Sequence, residues 1–371
     1  MSEPHCLKLR QLGDLFKAKD PRLPLAVSAD LTYRCNFSCA HCFCRLPENA
    51  PQGARELSGA EWDRIFGECA DEGGLFLTLT GGEPLLHPDF RQVWVAAKRR
   101  GLIPTLFSNA ALLTADWADF LADWPPQQVS VSLYGATEET YRSVTGVPGR
   151  YRAVREALDR LAERGLRLEV KCVFTRRNVH EFAAVREISR QYGEIFRWDA
   201  ELLGTYPEGG GNPAGERLSP EEVVALEAAD PIRDAEWRKR MSVWEPAPPL
   251  SETPFRCGVG GGGPHLDPYG QMRPCMTLES VSYDARSGSV REGWREALPR
   301  LLGEMPVVPG PCVDCTLPEL CRFCPAQARL AGYSLGGPSE FHCRLAHLRA
   351  QAYGVPVPEA FGETPSGGQI G

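Results

Sequence analysis

Long apolar runs and a secretory signal are both absent from this sequence. The longest apolar stretches, such as residues 75–79, are far shorter than the ~20 residues that a membrane-spanning helix needs. Residues 1–24 contain no apolar core of the kind that a signal peptide requires. We therefore expect a cytoplasmic protein that does not interact with membranes.

An excess of positive charge is absent as well. The chain has 41 Lys and Arg residues against 48 Asp and Glu residues, which gives a net charge of -7. Proteins that bind the phosphate backbone of nucleic acids are normally basic, so this balance argues against nucleic acid as a partner. A hydrophobic content of 43% excludes wholesale disorder, and 371 residues suffice for two or three structural units.

Cysteine, in contrast, is abundant, with 14 residues in the chain. Four cysteines lie within residues 35–44 and seven lie between residues 257 and 343. Without a secretory signal, metal or redox chemistry explains such clusters better than disulfides do. The isolated Cys6, Cys69 and Cys172 are predicted to be buried apolar side chains.

Strand-like and helix-like segments alternate through the first two thirds of the chain. Strands are predicted at residues 25–31, 75–80, 103–107, 129–133, 166–174 and 195–203. Helices are predicted to begin at caps in residues 58–61, 178–181 and 219–222. Six such units in series predict an α/β fold with a parallel sheet, either doubly wound or a partial barrel.

Three cysteines lie on one short loop directly after the first predicted strand: Cys35, Cys39 and Cys42. Three thiolates can hold three corners of a four-iron cluster and leave the fourth iron open to a small molecule. The alternative is a zinc knuckle, in which Cys44 or His41 would be the fourth ligand. Under the iron–sulfur hypothesis, Cys44 is a bystander.

The segment Thr80-Gly-Gly-Glu-Pro follows the second predicted strand. Gly81 and Gly82 would let a ligand approach the backbone, and the Glu83 carboxylate could accept hydrogen bonds from an ammonium group. Because α/β folds bind ligands at the carboxyl ends of neighbouring parallel strands, we expect this segment to lie beside the cysteine loop.

Together, the loop and the glycine segment resemble the radical S-adenosylmethionine (SAM) superfamily over residues 25–235. The resemblance implies a partial (β/α)6 TIM-like barrel with a [4Fe-4S] cluster on the three loop cysteines. It implies reductive cleavage of SAM to a 5′-deoxyadenosyl radical, which abstracts a hydrogen atom from the substrate. The residues that it assigns to SAM are His41, Gly81, Gly82, Glu83, Pro84, Ser108, Asn109 and Ser132. For the last three, an ordinary polar strand end is the alternative.

The cysteines from residue 257 onward are also spaced in an ordered way. Taken alone, the run of Cys312, Cys315, Cys321 and Cys324 could be a zinc ribbon. The whole set resembles the SPASM extension of radical SAM enzymes, which holds two auxiliary iron–sulfur clusters. In this resemblance residues 265–275 form a β-hairpin with its turn at residues 267–270. It assigns the distal cluster to Cys312, Cys315, Cys321 and Cys343, and the proximal cluster to Cys257, Cys275 and Cys324.

The sequence departs from the SPASM pattern at the proximal cluster. A further cysteine is expected between Cys257 and Cys275, but the stretch at residues 258–263 is mostly glycine. The proximal cluster therefore has a non-cysteine ligand, is a [2Fe-2S] cluster, or offers an open iron to the substrate. The resemblance divides the chain into an arm (1–24), a radical SAM barrel (25–235), a linker (236–256), a SPASM domain (257–347) and a tail (348–371).

Most SPASM enzymes modify ribosomally made peptides or proteins, so the resemblance implies crosslinking, oxidation or epimerisation of a peptide. An open auxiliary iron would favour thioether formation. Sulfatase-maturing relatives carry Asp directly after the hairpin cysteine, and Met276 at that position argues against their activity. Because the segment before Leu25 is too short for a peptide-recognition domain, we expect a separate leader-recognition protein. A flavodoxin- or ferredoxin-type electron donor is expected as well.

Two other functions are kept as alternatives. One is a radical SAM enzyme that acts on a small molecule, such as a tetrapyrrole in haem biosynthesis. The other is a non-enzymatic iron–sulfur electron carrier or zinc scaffold, although a pure carrier has no need for a SAM segment such as residues 81–84.

Overall fold

The computed structural model describes residue 20 and residues 22–193, 196–202, 204–206, 209–250, 254–308, 310–330, 332 and 338–357. Most of the predicted N-terminal arm, including Cys6, and the end of the predicted tail lie outside the described residues. None of the described helices combines the length and the apolar character that crossing a bilayer requires.

Eleven strands are present in the described residues. Their bounds are β1 Ala26–Thr32, β2 Arg34–Cys35, β3 Leu46–Pro47, β4 Phe76–Gly81, β5 Ile103–Ser108, β6 Gln128–Ser132, β7 Leu168–Val173, β8 Phe196–Asp199, β9 His265–Leu266, β10 Gln271–Arg273 and β11 Tyr283–Asp284. β2 and β3 form a small parallel pair, and the other nine strands form one sheet in the order β11-β10-β9-β1-β4-β5-β6-β7-β8.

Helices connect the parallel strands and make up most of the C-terminal part. Their bounds are α1 Gly59–Asp71, α2 Phe90–Arg99, α3 Ala115–Asp123, α4 Glu138–Thr145, α5 Arg150–Glu163, α6 Phe182–Arg190, α7 Pro213–Glu216, α8 Pro220–Ala229, α9 Pro231–Met241, α10 Val290–Glu292, α11 Leu298–Gly303, α12 Pro318–Cys321, α13 Pro325–Leu330 and α14 Glu340–Tyr353. A π-helical turn, Gly293–Ala297, joins α10 to α11, and single 3₁₀ turns occur at Pro51–Arg55, Pro84–Leu86 and Val179–Glu181.

The predicted fold class is confirmed, and the alternation along the strands explains why the sheet is a partial barrel. On β1, Val27, Ala29 and Leu31 are buried in the hydrophobic core, while Ser28 and Asp30 lie on the opposite face. A doubly wound sheet is covered on both faces and needs nearly continuous apolar strands. Here one face packs against the core and the other is polar, as the inner face of a barrel with a ligand site requires.

The C-terminal hairpin extends the barrel sheet. β9 pairs in parallel with β1, and β10 pairs antiparallel with β9. The hairpin turn at residues 267–270 is confirmed, and the Asp267 carboxylate accepts hydrogen bonds from the amides of Tyr269 and Gln271, both at 2.9 Å. The cysteine-rich C-terminal part therefore shares a sheet with the barrel.

One predicted helix cap is wrong, two are confirmed, and one helix was not predicted. Helix α4 was not expected, because its sequence, EETYRSVT, contains few apolar residues; it begins at the Thr137 cap. Asn178 does not cap the following helix, because its side-chain oxygen accepts a hydrogen bond from the Thr175 amide at 2.7 Å instead. The capping boxes at Ser58 and Ser219 are present as expected.

A fully buried arginine connects the C-terminal helices to the barrel. Arg349 on α14 is 0% exposed and donates two hydrogen bonds to Glu227 on α8, at 2.7 and 2.9 Å. It also donates to Glu201, which follows β8, and to the carbonyl of Leu320 on α12, both at 2.6 Å. Because Leu320 precedes Cys321, this network fixes a cysteine-bearing helix relative to the barrel.

We expect Arg349→Met to lower the free energy of unfolding by about 3–5 kcal/mol, because it leaves the Glu227 carboxylate buried without its partner. Arg344→Met on the same helix is the matched control. Arg344 pairs with Glu221 at 2.8 Å, but both side chains are about half exposed, so its loss should cost about 0–1 kcal/mol. Urea unfolding of both variants under anaerobic conditions measures the difference, and equal losses would contradict the prediction.

Candidate active site and auxiliary cysteine sites

The three-cysteine loop leaves the sheet at the carboxyl end of β1 and is held by α4. The amides of Ser38 and Ala40 donate hydrogen bonds to the carbonyls of Thr145 and Val144, at 2.8 and 3.0 Å. These carbonyls belong to the last turn of α4, where they have no partner within the helix. The helix that the sequence analysis missed is therefore one of the supports of the loop.

A glycine-rich segment, residues 209–212, supports the loop from the other side. The amide of Asn212 donates to the carbonyl of Ala40 at 2.8 Å, and the amide of Gly210 donates to that of Arg45 at 3.1 Å. A Cβ atom on Gly211 would lie 2.0 Å from the carbonyl oxygen of Cys42, so only glycine fits there. A glycine-rich composition is typical of a loop, and in the sequence it gives no indication that this segment packs against the cysteine loop.

Within the loop, the thiols of Cys35 and Cys39 are shielded from solvent. Burial raises the pKa of Cys35 to about 12 and that of Cys39 well above its usual value. The sulfur of Cys35 accepts hydrogen bonds from the Phe37 amide at 3.4 Å and the Asn109 side chain at 3.7 Å. These donors would stabilise a thiolate once iron replaces the proton.

Cys42 has the surroundings of a thiolate. A hydrogen bond from the Cys44 thiol lowers the pKa of Cys42 to about 7, and the backbone amides of Cys44 and Arg45 act in the same direction. Cys44 also lies 3.8 Å from the carbonyl oxygen of Gly81. Cys44, interpreted from the sequence as a bystander, thus lies between the third loop cysteine and the glycine segment.

Glu83 is completely buried at the carboxyl end of β4. The Ser108 hydroxyl donates to its two oxygens at 2.9 and 3.1 Å, and the amides of Asn109 and Leu85 donate at 2.8 and 3.2 Å. Burial nevertheless raises the pKa of Glu83 to about 7. An ammonium group placed against this carboxylate would favour its charged form.

Asn109 connects the two halves of the site. Its backbone amide donates a hydrogen bond to the Glu83 carboxylate. Its side-chain nitrogen donates to the side-chain oxygen of Asn36 at 2.7 Å and contacts the sulfur of Cys35 at 3.7 Å. Ser108 and Asn109, chosen from the sequence as strand-end polar residues, thus lie directly on Glu83. Asn36 was not anticipated.

Gly81 and Gly82 serve the packing of the chain itself. A Cβ on Gly81, whose φ is +130°, would lie 2.2 Å from the Thr32 carbonyl oxygen, and one on Gly82 would lie 2.4 Å from that of Arg34. The sequence alone predicts that these glycines let a ligand approach the backbone. In the structure, the backbone that approaches them is the one leading into the cysteine loop.

The remaining residues predicted to bind SAM lie around this centre. His41 is buried with its ring centroid 4.9 Å from that of Tyr134, and its Nδ1 has no hydrogen-bond partner. Burial lowers the pKa of His41 to about 4, so the ring is neutral. Pro84 is buried at the start of a 3₁₀ turn, and Ser132 is the last residue of β6, half-buried.

The described residues include no group of three His, Cys, Asp or Glu side chains arranged to hold a single metal ion. The donors to the loop sulfurs, namely the Phe37 amide and the Asn109 side chain at Cys35 and the backbone amides of Cys44 and Arg45 at Cys42, suit thiolates that bind iron.

The C-terminal cysteines fall into two groups by their mutual electrostatic interactions. Cys321 interacts with Cys312, Cys315 and Cys343. Cys324 interacts with Cys257 and Cys275. These are the two sets that the resemblance assigns to the distal and the proximal cluster.

One cavity of about 670 Å³ collects five of these seven cysteines. Its lining includes Cys257, Cys312, Cys315, Cys321 and Cys324. The Pro-rich segment at residues 247–250 forms one wall, and its Leu250 amide donates to the Val313 carbonyl at 2.9 Å. Residues interpreted from the sequence as a linker therefore line the cysteine cavity.

Comparisons with known proteins agree with this geometry. The family model "Radical SAM superfamily" matches residues 30–187, which include the cysteine loop, Glu83 and Asn109. Residues 30–187 are a radical SAM domain. The chain is an enzyme of the class that uses SAM and a [4Fe-4S] cluster.

Related proteins cover almost the whole chain. The AdoMet-dependent heme synthase of Methanosarcina barkeri is 24% identical over 83% of this chain and 93% of that protein. The PqqA peptide cyclase of Rhizobium meliloti is 28% identical over 82% of this chain and 80% of that protein. Streptococcus suis SuiB bound to S-adenosylmethionine shares the fold, with a TM-score of 0.65 and 16% identity over 91% of this chain and 83% of SuiB.

Without SAM, we expect the free energy of unfolding to fall as the pH rises from 4.5 to 7, because ionising Glu83 is more costly in the folded state. Between these pH values the native state holds a proton that the unfolded state has lost, and above pH 7 the resulting destabilisation reaches about 3 kcal/mol. Glu83→Gln removes this pH-dependent destabilisation. Urea unfolding at several pH values, taken as the difference between wild type and variant, isolates Glu83 from the buried histidines. If wild type and Glu83→Gln lost stability in parallel as the pH rises, the pH dependence would not come from Glu83.

We expect Gly211→Ala to lower the iron content of the reconstituted protein by one cluster, about four iron atoms per chain, and its SAM cleavage at least tenfold, because its Cβ would displace the Cys42 backbone. Gly262→Ala is the control, since a Cβ at Gly262 meets no atom within 4 Å. Iron analysis and chromatography of 5′-deoxyadenosine measure both variants. Full iron content in the Gly211 variant would mean that the segment does not position the loop.

Proposed function

We propose that the protein is a radical SAM enzyme that modifies a ribosomally made peptide or protein. The observation that carries this proposal is Asn109, which contacts both Cys35 and Glu83 and so joins the predicted iron site to the predicted site of the SAM amino group. When bound, the reduced cluster and SAM together supply a 5′-deoxyadenosyl radical that abstracts hydrogen.

In this proposal, the residues of the chain bind and orient the cluster and SAM and shield them from water. Cys35, Cys39 and Cys42 hold the cluster. Glu83 accepts hydrogen bonds from the SAM ammonium group. Ser108 and Asn109 hold the Glu83 carboxylate in place.

The other residues assigned to SAM surround these groups. The backbone at Gly81, Gly82 and Pro84 brings Glu83 to the cysteine loop. His41 lies near the adenine as a neutral ring, and Ser132 lines the pocket from β6. Because Glu83 and His41 are buried, this part of the site keeps water away from a reactive intermediate.

In the C-terminal part, two auxiliary iron–sulfur clusters are proposed. Cys312, Cys315, Cys321 and Cys343 would hold a distal [4Fe-4S] cluster. Cys257, Cys275 and Cys324 would hold a proximal cluster, either [4Fe-4S] or [2Fe-2S], whose cysteine set is incomplete. An open iron at the proximal cluster would accept a substrate thiolate, which favours thioether formation.

A peptide substrate is supported by two of the related proteins. One is named as a peptide cyclase, and SuiB has also been solved with its precursor peptide SuiA. The heme synthase relative represents the alternative of a small-molecule substrate. A low-potential flavodoxin- or ferredoxin-type donor, a separate leader-recognition protein and a cytoplasmic location remain predictions.

The test compares two cysteine variants under reducing, anaerobic conditions. We expect Cys39→Ala to abolish formation of 5′-deoxyadenosine, because the SAM-binding cluster loses a ligand. Cys321→Ala should keep some SAM cleavage and lose product, since Cys321 belongs to the C-terminal cysteines and not to the loop that holds the SAM-binding cluster. Chromatography of 5′-deoxyadenosine and mass spectrometry of a candidate precursor peptide incubated with each variant are the measurements.

Cys69→Ala is the matched control, because Cys69 is buried in α1 away from the cysteine sites. It should keep both activities. SAM cleavage by Cys39→Ala would overturn the assignment of the loop, and normal product from Cys321→Ala would remove the distal site from the chemistry.

A further inference from the structure

The polar face of the barrel carries charged side chains that the proposed SAM site does not use. Ser132 on β6, Lys171 on β7 and Arg197 on β8 are register neighbours, so they lie in one row on the same face of the sheet. The alternate residues Val131, Val170 and Trp198 are buried on the helical side. Ser132 is the last residue of β6, whereas Lys171 and Arg197 lie within β7 and β8, so the row crosses the polar face of the barrel.

Lys171 is a largely buried ammonium group with an incomplete set of partners. Its side chain is 18% exposed, and its Nζ lies 2.8 Å from the ring centroid of Phe107. Its carboxylate neighbour, Glu169, lies at 3.6 Å and also accepts a hydrogen bond from Ser130 at 2.6 Å. Burial, together with the nearby Arg197, lowers the pKa of Lys171 to about 7.

Arg197 adds a second positive charge beside Lys171. Its side chain is exposed and makes no hydrogen bond or ion pair with any described residue. The nearest acidic residue on the same face of β8, Asp199, accepts a hydrogen bond from the Glu201 amide at 2.8 Å. Lys171 and Arg197 are thus adjacent basic side chains, and, of the acidic residues that the structure describes, only Glu169 lies close enough to Lys171 to offset part of their positive charge. An anion bound between them would be stabilised by both.

We propose that Lys171 and Arg197 bind a carboxylate of the peptide substrate, either an acidic side chain or the C-terminal carboxylate. This inference rests on the proposed function and adds the chemical class of the group that the barrel receives. The carboxylate would lie between the two cations, and the guanidinium fork of Arg197 suits such a planar anion.

The carboxylate of SAM is the competing ligand for this position. The amino and carboxylate groups of SAM share one carbon atom, and the amino group is placed at Glu83, beside β5. Lys171 belongs to β7, two strands farther along the sheet, but its ammonium group reaches the Phe107 ring on β5. Arg197 lies one strand farther still, on β8, so a carboxylate bound by both cations favours the substrate over SAM.

The test measures how fast Lys171 is acetylated by a limiting amount of an N-hydroxysuccinimide ester. The reconstituted protein is used, and the exposed Lys239 is the internal reference for mass spectrometry. Three probe peptides separate the two carboxylate sources: acetyl-Gly-Glu-Gly-amide, acetyl-Gly-Gln-Gly with a free carboxylate, and acetyl-Gly-Gln-Gly-amide. SAM alone is the fourth condition.

We expect at least one carboxylate peptide to slow the acetylation of Lys171 threefold or more, while the neutral peptide and SAM do not. Arg197→Gln should abolish this protection. Arg190→Gln, which removes an exposed arginine on α6, should preserve it. The peptide that protects identifies the side chain or the C terminus as the source.

Three outcomes would overturn the inference: no protection by either carboxylate peptide, protection by SAM alone, or equal protection in the Arg197 variant. 5′-Deoxyadenosine is measured on an untreated portion of the same preparation, supplied with SAM and a reductant. Wild-type protein that cleaves SAM but shows no protection contradicts only the carboxylate site, whereas protein that does not cleave SAM contradicts the proposed function.

Discussion

The pairing of β1 with β4 beyond their regular register is the constraint on which the site depends. The Gly82 amide donates to the Thr32 carbonyl at 2.7 Å, and the Glu83 amide donates to that of Arg34 at 2.9 Å. These two bonds bring the start of the cysteine loop and the acidic residue together before any side chain contributes. The glycines are needed because no Cβ fits between two backbones this close.

Further support for the site comes from elements that are distant in the sequence. The last turn of α4 and the segment at residues 209–212 hold the cysteine loop, while the Arg349 network holds the helix that ends in Cys321. In each case, backbone carbonyls or a buried charged side chain form hydrogen bonds with residues that are distant in the sequence. Positioning of the thiols therefore does not depend on the loop sequences alone.

Much of the barrel could be predicted from the sequence, because its strands are short segments with buried apolar residues at alternating positions and two of its helices begin at recognisable capping boxes. The cysteine loop and Glu83 were found because their residue types are chemically distinctive. Helix α4 was not predicted because its apolar residues are few. The role of the glycine-rich segment at residues 209–212 was not predicted because such a composition does not identify a packing partner. Lys171 was overlooked because a polar residue at an alternating strand position normally faces solvent, and only the barrel makes that face internal.

The shared sheet has a consequence for how the protein is made. β1 begins at Ala26, and its outer neighbour, β9, begins at His265, so the Ser28–His265 contact spans 237 residues. Until the ribosome has delivered that hairpin, the outer edge of β1 has no strand beside it, and such edges pair readily with other chains. The barrel sheet next to the cysteine loop is thus completed late in synthesis, once the C-terminal hairpin has paired with β1.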